Sequence, residues 1–522
     1  MFKKLTRLLT GRPWRDTGIT DGANSADSAT GQHDQSRKTR RLEHPSSEKP
    51  GRQKATSRHG KPSAKTVAET SPAKLLGMDL HDVDIIARED HHISRKDISA
   101  NALKVLYRLN DAGYPAFLVG GGVRDLLLGG HPKDFDISTN ATPEQVKDLF
   151  RNSRVVGRRF KIAHVRFGRE IIEVTTFRAH HEIEIEVKDD QPRKHIRDLD
   201  SAHTTGGMIL RDNVYGSINE DAMRRDFTVN ALYYTTKGFL LLDFVKGLAD
   251  IDARLIRMIG DPETRYREDP VRILRAIRLA AKLDFQIEAA TEAPLKELAG
   301  LLKLISPARL FDETVKLFTT GKAEATFALL RHYGVADYLF KPVMPYLKDA
   351  DSIDSKLISL ALRNTDQRLA DGKSVTPAFL YSALLWPALK DALADTDGNR
   401  PPAMPVIQRE ASEVISRQLA YTSIPKRFTA MMREIWELQW RLQPRSRRNV
   451  ESVIAHPRFR AAYDFLLLRE ASGENLGGIG DWWTRFQDGD HALQESMIGD
   501  LQPARSPKRR RRKPRKPAEP SN

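Results

Sequence analysis

Asp134 and Asp136 have the spacing for metal chemistry. They lie in Lys133-Asp134-Phe135-Asp136-Ile137, and residues two apart in an extended chain point to the same side. Two carboxylates held side by side repel one another unless a cation sits between them. Hard, oxygen-seeking Mg²⁺ bridging to phosphates is the usual occupant. Just upstream, Phe117-Leu118-Val119 reads as a short buried strand that runs into Gly120-Gly121-Gly122. Val123-Arg124-Asp125-Leu126-Leu127-Leu128 then reads as a helical turn closed by Gly129-Gly130. Glycines at a strand-to-helix turn let backbone N–H groups approach a phosphate, and a helix N-terminus favours negative charge. A glycine cluster alone is usually just a turn, and a lone Asp-x-Asp usually a solvated strand end. In this order and spacing, the two together predict metal-assisted transfer of a nucleotide.

Three further groups belong with that chemistry. Arg224-Arg225-Asp226 runs directly into the apolar Phe227-Thr228-Val229-Asn230-Ala231-Leu232, which puts the charges at the lip of a buried element. Arginine forks suit phosphate oxygens and ribose hydroxyls; if the segment is helical, Asn230 sits one turn beyond Asp226 on the same face. Glu173, inside the β-branched run Ile171–Thr176, is the rival to Asp226 for a third acidic position, since a buried carboxylate needs a partner. The ordinary alternative for Glu173 is a solvent-facing side or a pairing with Arg178. Asp226 is the favoured third acid, with Glu173 in support. Asp269 and Arg272 stand three apart at the start of an amphipathic helix, where they can present an acceptor and a donor together or form a helix-start salt bridge.

The elements that must position these residues divide along the chain. Strand-type segments (Phe117–Val119, Phe135–Ser138, His164–Phe167, Ile171–Phe177, Ala231–Tyr234 and Leu240–Phe244) cluster between residues 115 and 245. From about residue 262 the patterns are helical: Val271–Leu283, Pro307–Thr319, Ala323–Tyr333, Pro377–Leu385, Val406–Leu419, Phe428–Leu442 and Phe459–Glu470. The expectation is an α/β catalytic domain over 90–250, helical nucleotide- and RNA-binding segments over 251–320 and 321–490, and disordered basic tails at 1–75 and 491–522. Trp436, Trp440, Trp482 and Trp483 read as core rather than as base-stacking groups.

From about Ile93 to about Lys282, with a looser likeness through His456–Asp464, the chain resembles the class II nucleotidyltransferases. That superfamily branch holds the bacterial poly(A) polymerases and the tRNA CCA-adding enzymes. The glycine turn with its metal strand, the double-arginine block and Arg267-Glu268-Asp269-Pro270-Val271-Arg272 appear in the family's order. The resemblance implies an α/β nucleotidyltransferase domain followed by an all-helical body. It implies two Mg²⁺ ions at Asp134 and Asp136, with Asp226 (or Glu173) completing the acidic centre. It further implies a nucleotide held by Gly121, Gly122, Arg124, Asp125, Arg225 and Asn230, and an adenine edge read by Asp269 and Arg272. Val155-Val156-Gly157-Arg158-Arg159-Phe160 looks like a stretch marking the poly(A) polymerase branch, with Arg158 and Arg159 as RNA contacts, and Pro262 and the basic C-terminus point the same way. The expected activity is untemplated addition of AMP from ATP to RNA 3′-hydroxyl ends. A CCA-adding enzyme is the alternative, and a catalytically silent RNA binder is the alternative of another class.

Charge is distributed to suit an RNA partner. The 522 residues carry a net +16, yet residues 1–75 hold 16 Lys and Arg against 7 Asp and Glu, and residues 501–522 hold 9 against 1; the stretch between sums to −1. The run Lys508-Arg509-Arg510-Arg511-Arg512-Lys513 has nothing apolar to bury and gains RNA affinity through counterion release. Met1–Leu9 is a short basic amphipathic segment able to make only weak membrane-surface contact. No apolar run suits a signal peptide or a membrane span, and the absence of cysteine excludes disulfides and thiolate metal sites. The expected setting is the bacterial cytoplasm, with RNA-decay machinery and an RNA chaperone as partners.

Overall fold

The computed structural model describes residues 72–157, 161–179, 214–394 and 402–501, together with the backbone of three short paired strands at 186–187, 201–204 and 209–212. The head is built on β1 (Asp84–Ile86), β2 (Ala116–Val119), β3 (Asp136–Thr139), β4 (Ser153–Val156), β5 (Ile162–Phe167), β6 (Glu170–Thr176), β7 (Leu232–Tyr234) and β8 (Leu241–Asp243). Their order across the sheet is β1-β8-β7-β2-β3-β6-β5-β4, all antiparallel except the β3–β6 pair. β2 is buried on both faces: Ala116 and Leu118 join one apolar cluster, Phe117 and Val119 the other.

Helix α1 (Ala100–Asp111) lies against this sheet. Ser99 accepts from the backbone N–H groups of Asn101 and Ala102 to start it, and it buries Ala102, Val105, Leu106 and Leu109. The glycine turn opens α2 (Gly121–Leu127). A capping box of Ser217 and Glu220 opens α3 (Ile218–Met223). Beyond the sheet come α4 (Pro262–Glu268), α5 (Val271–Leu283) and α6 (Pro307–Phe318), each with proline or an oxygen-bearing cap at its start except α5, which begins just after Pro270. One apolar cluster runs from Ile93 in the head through α5 and α6 to Phe465 and Leu468 in the body.

Of the four tryptophans expected in the core, Trp436 and Trp483 are buried and Trp440 packs against the apolar cluster, whereas Trp482 is only half-buried. Trp436 and Trp483 are fully buried, and their indole N–H groups donate to the carbonyls of Ser382 (3.1 Å) and Leu442 (3.0 Å). Trp440 packs on Trp386, and Trp482 stacks on Phe486. The helix expected to stop near Leu385 instead continues to Ala394 with the buried Pro387 inside it, because burial on nearly every side outweighs the one lost hydrogen bond. No helix among the described residues is long and apolar enough to cross a membrane. Met1–Leu9, Arg158, Arg159 and the run from Lys508 to Lys513 lie outside the described residues.

Candidate active site

Asp136 opens β3 and Asp134 stands two residues before it. Phe135, between them, is 5 % exposed and drives into the core, so both carboxylates are left at the open side. The neighbouring strands supply the surroundings. On the β2 side Asp136 is opposite Val119, the last residue before the glycine turn, and on the β6 side it is opposite Glu173. Glu173 in turn is opposite His164 of β5, whose Nε2 lies 3.4 Å from its Oε1. Gly120 has φ +72°, a left-handed conformation suited to glycine. A Cβ on Gly122 would sit 3.5 Å from the Asp134 carbonyl oxygen, so the turn packs directly on the start of the metal strand.

The electrostatics of this corner fit a cation. Asp136 reaches solvent at one edge, yet the surrounding protein crowds its carboxyl. That burial, then the Glu173 charge, raises it from 3.8 to about 6 against the pull of Arg225. The donors are all oxygen, as Mg²⁺ prefers, and their repulsion is not cancelled by protein cations. Among the described residues no three His, Asp or Glu side chains converge at metal-ligand spacing; Asp134 and Asp136 share the open side, and Glu173 lies one strand away.

Asp226, the favoured third acid, is placed differently. Arg275 of α5 grips its Oδ2, with Nε at 2.6 Å and Nη2 also in contact, while Asn230 Nδ2 (3.3 Å) and the Phe227 backbone N–H (2.9 Å) donate to its Oδ1. Burial alone would raise this carboxyl; the guanidinium and the two amide donors outweigh it and hold it down to about 2. The carboxylate in register with Asp136 is therefore Glu173, and Asp226 is engaged by protein donors. Asn230 meets Asp226 as expected, although Thr228–Asn230 is a single 3₁₀ turn rather than an α-helix.

Arg124, expected to help hold the nucleotide, lies beside the glycine turn and is paired within the protein. Only 3 % exposed, it donates from Nη1 to Asn230 Oδ1 (2.5 Å) and from Nε and Nη2 to Asp125 Oδ1 (2.9 and 2.6 Å). Asp125 accepts Lys282 Nζ on its other oxygen at 2.8 Å. A buried guanidinium has to be paired, and these four residues brace α2 against the Asp226 turn and α5. Arg225 is held by Asp221 Oδ2 (3.1 Å) and the Tyr233 hydroxyl (2.7 Å), with its guanidinium 4.9 Å from the Tyr233 ring. Its Nη1 lies 3.7 Å from where a Cβ on Gly120 would be, so this arginine borders the glycine turn.

Sequence reasoning missed Asp221. It is buried and accepts from Arg225, the Tyr233 hydroxyl, Ser138 of β3 and the Arg178 backbone N–H, tying the arginine block to the metal strand. Its position in the first turn of α3 disguises it as an ordinary helix-start acid. Asp269 and Arg272 lie together at the start of α5, where the Arg272 backbone N–H donates to the Asp269 carbonyl at 2.9 Å, but their side chains do not pair with one another. Asp269 accepts from Arg309 of α6 (2.7 Å), and Arg272 donates to Glu268 (2.7 Å) and to the Arg265 carbonyl (2.7 Å).

Comparison with known proteins agrees with this geometry. Residues 116–257 match the poly A polymerase head domain, 284–350 match the domain described as "Probable RNA and SrmB- binding site of polymerase A", and 399–517 match the polymerase A arginine-rich C-terminus. Poly(A) polymerase I of Salmonella typhimurium is 48% identical over 83% of this chain and 92% of its own length; that of Haemophilus influenzae is 43% identical over 84% and 95%. The CCA-adding enzyme of Lactobacillus helveticus is 39% identical over 51% of this chain. A solved apo CCA-adding enzyme superposes with a TM-score of 0.51 at 19% identity over 80% of this chain and 93% of its own, a likeness of fold. A head sheet with an open acidic pair, an arginine block tied to it and a match along most of the chain make this protein a member of the bacterial poly(A) polymerase family, polynucleotide adenylyltransferases of the nucleotidyltransferase superfamily.

Proposed function

We propose that the open side of β3 and β6 is where AMP passes from ATP to an RNA 3′-hydroxyl, without a template, and that Asp134, Asp136 and Glu173 hold two Mg²⁺ ions there. The observation that carries this is the registered Asp136–Glu173 pair, with the Asp136 carboxyl raised to about 6. Bound divalent cations supply Lewis-acid activation of the hydroxyl and charge neutralisation at the departing pyrophosphate. The backbone N–H groups of Gly121 and Gly122, at the start of α2, receive phosphate oxygens, and Arg225 beside Gly120 adds charge. Asp226, with Asn230, fixes Arg275 and Arg124 around that pocket. The hydroxyl oxygen forms the new bond to the α-phosphorus as the bond to pyrophosphate breaks. Asp269 and Arg272, held from outside by Arg309 and Glu268, offer one acceptor and one donor to the adenine edge.

Residues 90–250 carry the chemistry in this reading, and the helices of 251–490 hold RNA. Arg158, Arg159 and the cationic run from Lys508 to Lys513 add sequence-independent contacts to the phosphate backbone. RNA-decay machinery and an RNA chaperone are the partners that an adenylated 3′ end suggests, in the cytoplasm of a bacterium. Incubating the protein with labelled RNA, Mg²⁺ and each nucleoside triphosphate separately tests the reading. Long extension with ATP alone supports it; two cytidines followed by one adenosine on tRNA identify a CCA-adding enzyme; no extension with any of them overturns catalysis.

A further inference from the structure

The register of the head sheet draws a row of side chains away from the acidic corner. Asp136 of β3 is opposite Glu173 of β6, Glu173 is opposite His164 of β5, and His164 is opposite Arg154 of β4. Opposed residues share a face. The alternate residues Ile172, Val174, Ala163 and Val165 are buried, so this row lies on the outer side of the sheet. Neighbouring strands stand about 4.8 Å apart, which sets His164 about 5 Å and Arg154 about 10 Å beyond Glu173. Arg166, two residues on from His164, is opposite Ile171, and both are exposed on the same face.

Two features separate this face from an ordinary solvated sheet edge. Arg124, Arg225 and Arg275 are engaged by Asp125, Asp221 and Asp226, whereas among the described residues no carboxylate pairs with Arg154 or Arg166. Ile171, two residues before Glu173, is 39 % exposed, an apolar side chain left uncovered beside the acids. The need to guard an edge strand would account for a cation on β4. It does not account for a second one on β5, inside the sheet, with an open isoleucine next to it.

The direction of the reaction says what crosses this face. The glycine turn follows Val119, on the β2 side of Asp136, so pyrophosphate departing from that turn leaves toward β2. Displacement at phosphorus keeps the entering and leaving oxygens roughly in line, on opposite sides. The RNA 3′-hydroxyl therefore enters from the β6 side, and the strand behind it runs out over β5 and β4.

We propose that the outer face of β6, β5 and β4 is the binding site for the 3′-terminal segment of single-stranded RNA. Arg154 and Arg166 hold the phosphates of the last linkages, as arginine forks suit phosphate oxygens, and Ile171 underlies the terminal nucleoside. His164, with Nε2 turned to Glu173 at 3.4 Å, stands between the cations and the acids. The proposal rests on the catalytic reading of Asp136 and Glu173 given above.

The test uses the full-length protein and a short oligoadenylate, either unmodified or carrying an uncharged methylphosphonate at its last or next-to-last linkage. KM for the oligonucleotide, KM for ATP and the thermal midpoint are measured for the parent, Arg154→Gln, Arg166→Gln and the double variant. The double variant should show a roughly 10-fold or greater rise in KM for the oligonucleotide, with KM for ATP and the thermal midpoint unchanged. The methylphosphonate should weaken the parent by a similar factor and the double variant far less, because each phosphate and its arginine act as a unit. A merely structural role for the arginines gives no such coupling. An unchanged KM in the double variant, or an equal methylphosphonate penalty in parent and double variant, overturns the proposal and leaves the arginines as guards of the sheet edge. A parent that adds no AMP to RNA overturns the catalytic reading itself, and the proposal with it.

Discussion

Asp136 and Glu173 stand opposite each other on β3 and β6, the one parallel strand pair in the eight-stranded head sheet. Opposed residues on neighbouring strands present their side chains on one face. Like charges there are destabilising unless something between them is positive. Arg225 and Arg275 pull the Asp136 carboxyl down, yet it still ends near 6. A divalent cation bound at this corner would relieve that repulsion.

Asp136→Asn separates stability from activity. The Asp136 carboxyl sits above its ordinary value, so the folded protein binds more protons between about 4 and 6. The stability it contributes is present below its unfolded value of 3.8 and is lost as pH rises through about 6. At pH 7.5 without metal the charged carboxylate opposes folding, and Asp136→Asn should raise stability by about 1 kcal/mol after discounting for its open edge. The same variant should not extend RNA. Denaturant unfolding in EDTA beside a tailing assay checks both halves.

Protons and cations compete for the same oxygens, which sets the acid limb of the pH profile. The Mg²⁺ concentration giving half-maximal rate should rise steadily as pH falls from 7.5 to 5.5, steepest near 6. A Mg²⁺ requirement that is flat across this range would detach the Asp136 carboxyl from metal binding.

Glu173→Gln and Asp226→Asn should fail in different ways. Glu173 lies beside Asp136 and its loss should raise the Mg²⁺ needed while leaving thermal stability nearly unchanged. Asp226→Asn strips Arg275 of its carboxylate partner, a half-buried pair, and should cost about 2 kcal/mol of stability and lower the rate at every Mg²⁺ concentration. Paired Mg²⁺ titrations and melting curves distinguish the two; a Mg²⁺ shift in Asp226→Asn and not in Glu173→Gln would give the metal role to Asp226.

Deleting residues 505–522 removes 9 Lys and Arg and little apolar surface. Folding should survive, while RNA binding weakens and its salt dependence becomes shallower by roughly 0.7 in log–log slope for each phosphate no longer neutralised. Added tails should be shorter. Equal slopes for the full-length and truncated proteins would point to a protein partner for this tail.

The sequence shows the short-range parts of this site and hides the long-range ones. β2 and β7 announce themselves as short apolar runs buried throughout, β6 by its β-branched residues, and the Phe135 alternation already places Asp134 and Asp136 together at the start of β3. β1 and β4 do not, since they are short, half-exposed and at the two edges of the sheet, where no continuous apolar run is required. The pairings that decide roles lie far apart along the chain. Arg275 meets Asp226 across 49 residues and Lys282 meets Asp125 across 157, so nothing local tells a metal-ready acid from one already engaged. Arg275 and Lys282 read only as the polar side of α5. The register of β3 on β6, which selects Glu173, follows from tertiary pairing and has no local signal.

The central claim is that the acidic pair on β3 carries the chemical step while RNA affinity resides elsewhere. The most direct measurement is single-turnover extension of a labelled RNA by Asp136→Ala at saturating ATP and Mg²⁺, with the affinity for the same RNA determined in parallel. The expected result is loss of AMP addition by a factor of about 10³ or more, in line with removal of a group that stabilises the transition state, with RNA affinity within about twofold of the parent. Extension by Asp136→Ala at near the parent rate would contradict the assignment of the metal strand.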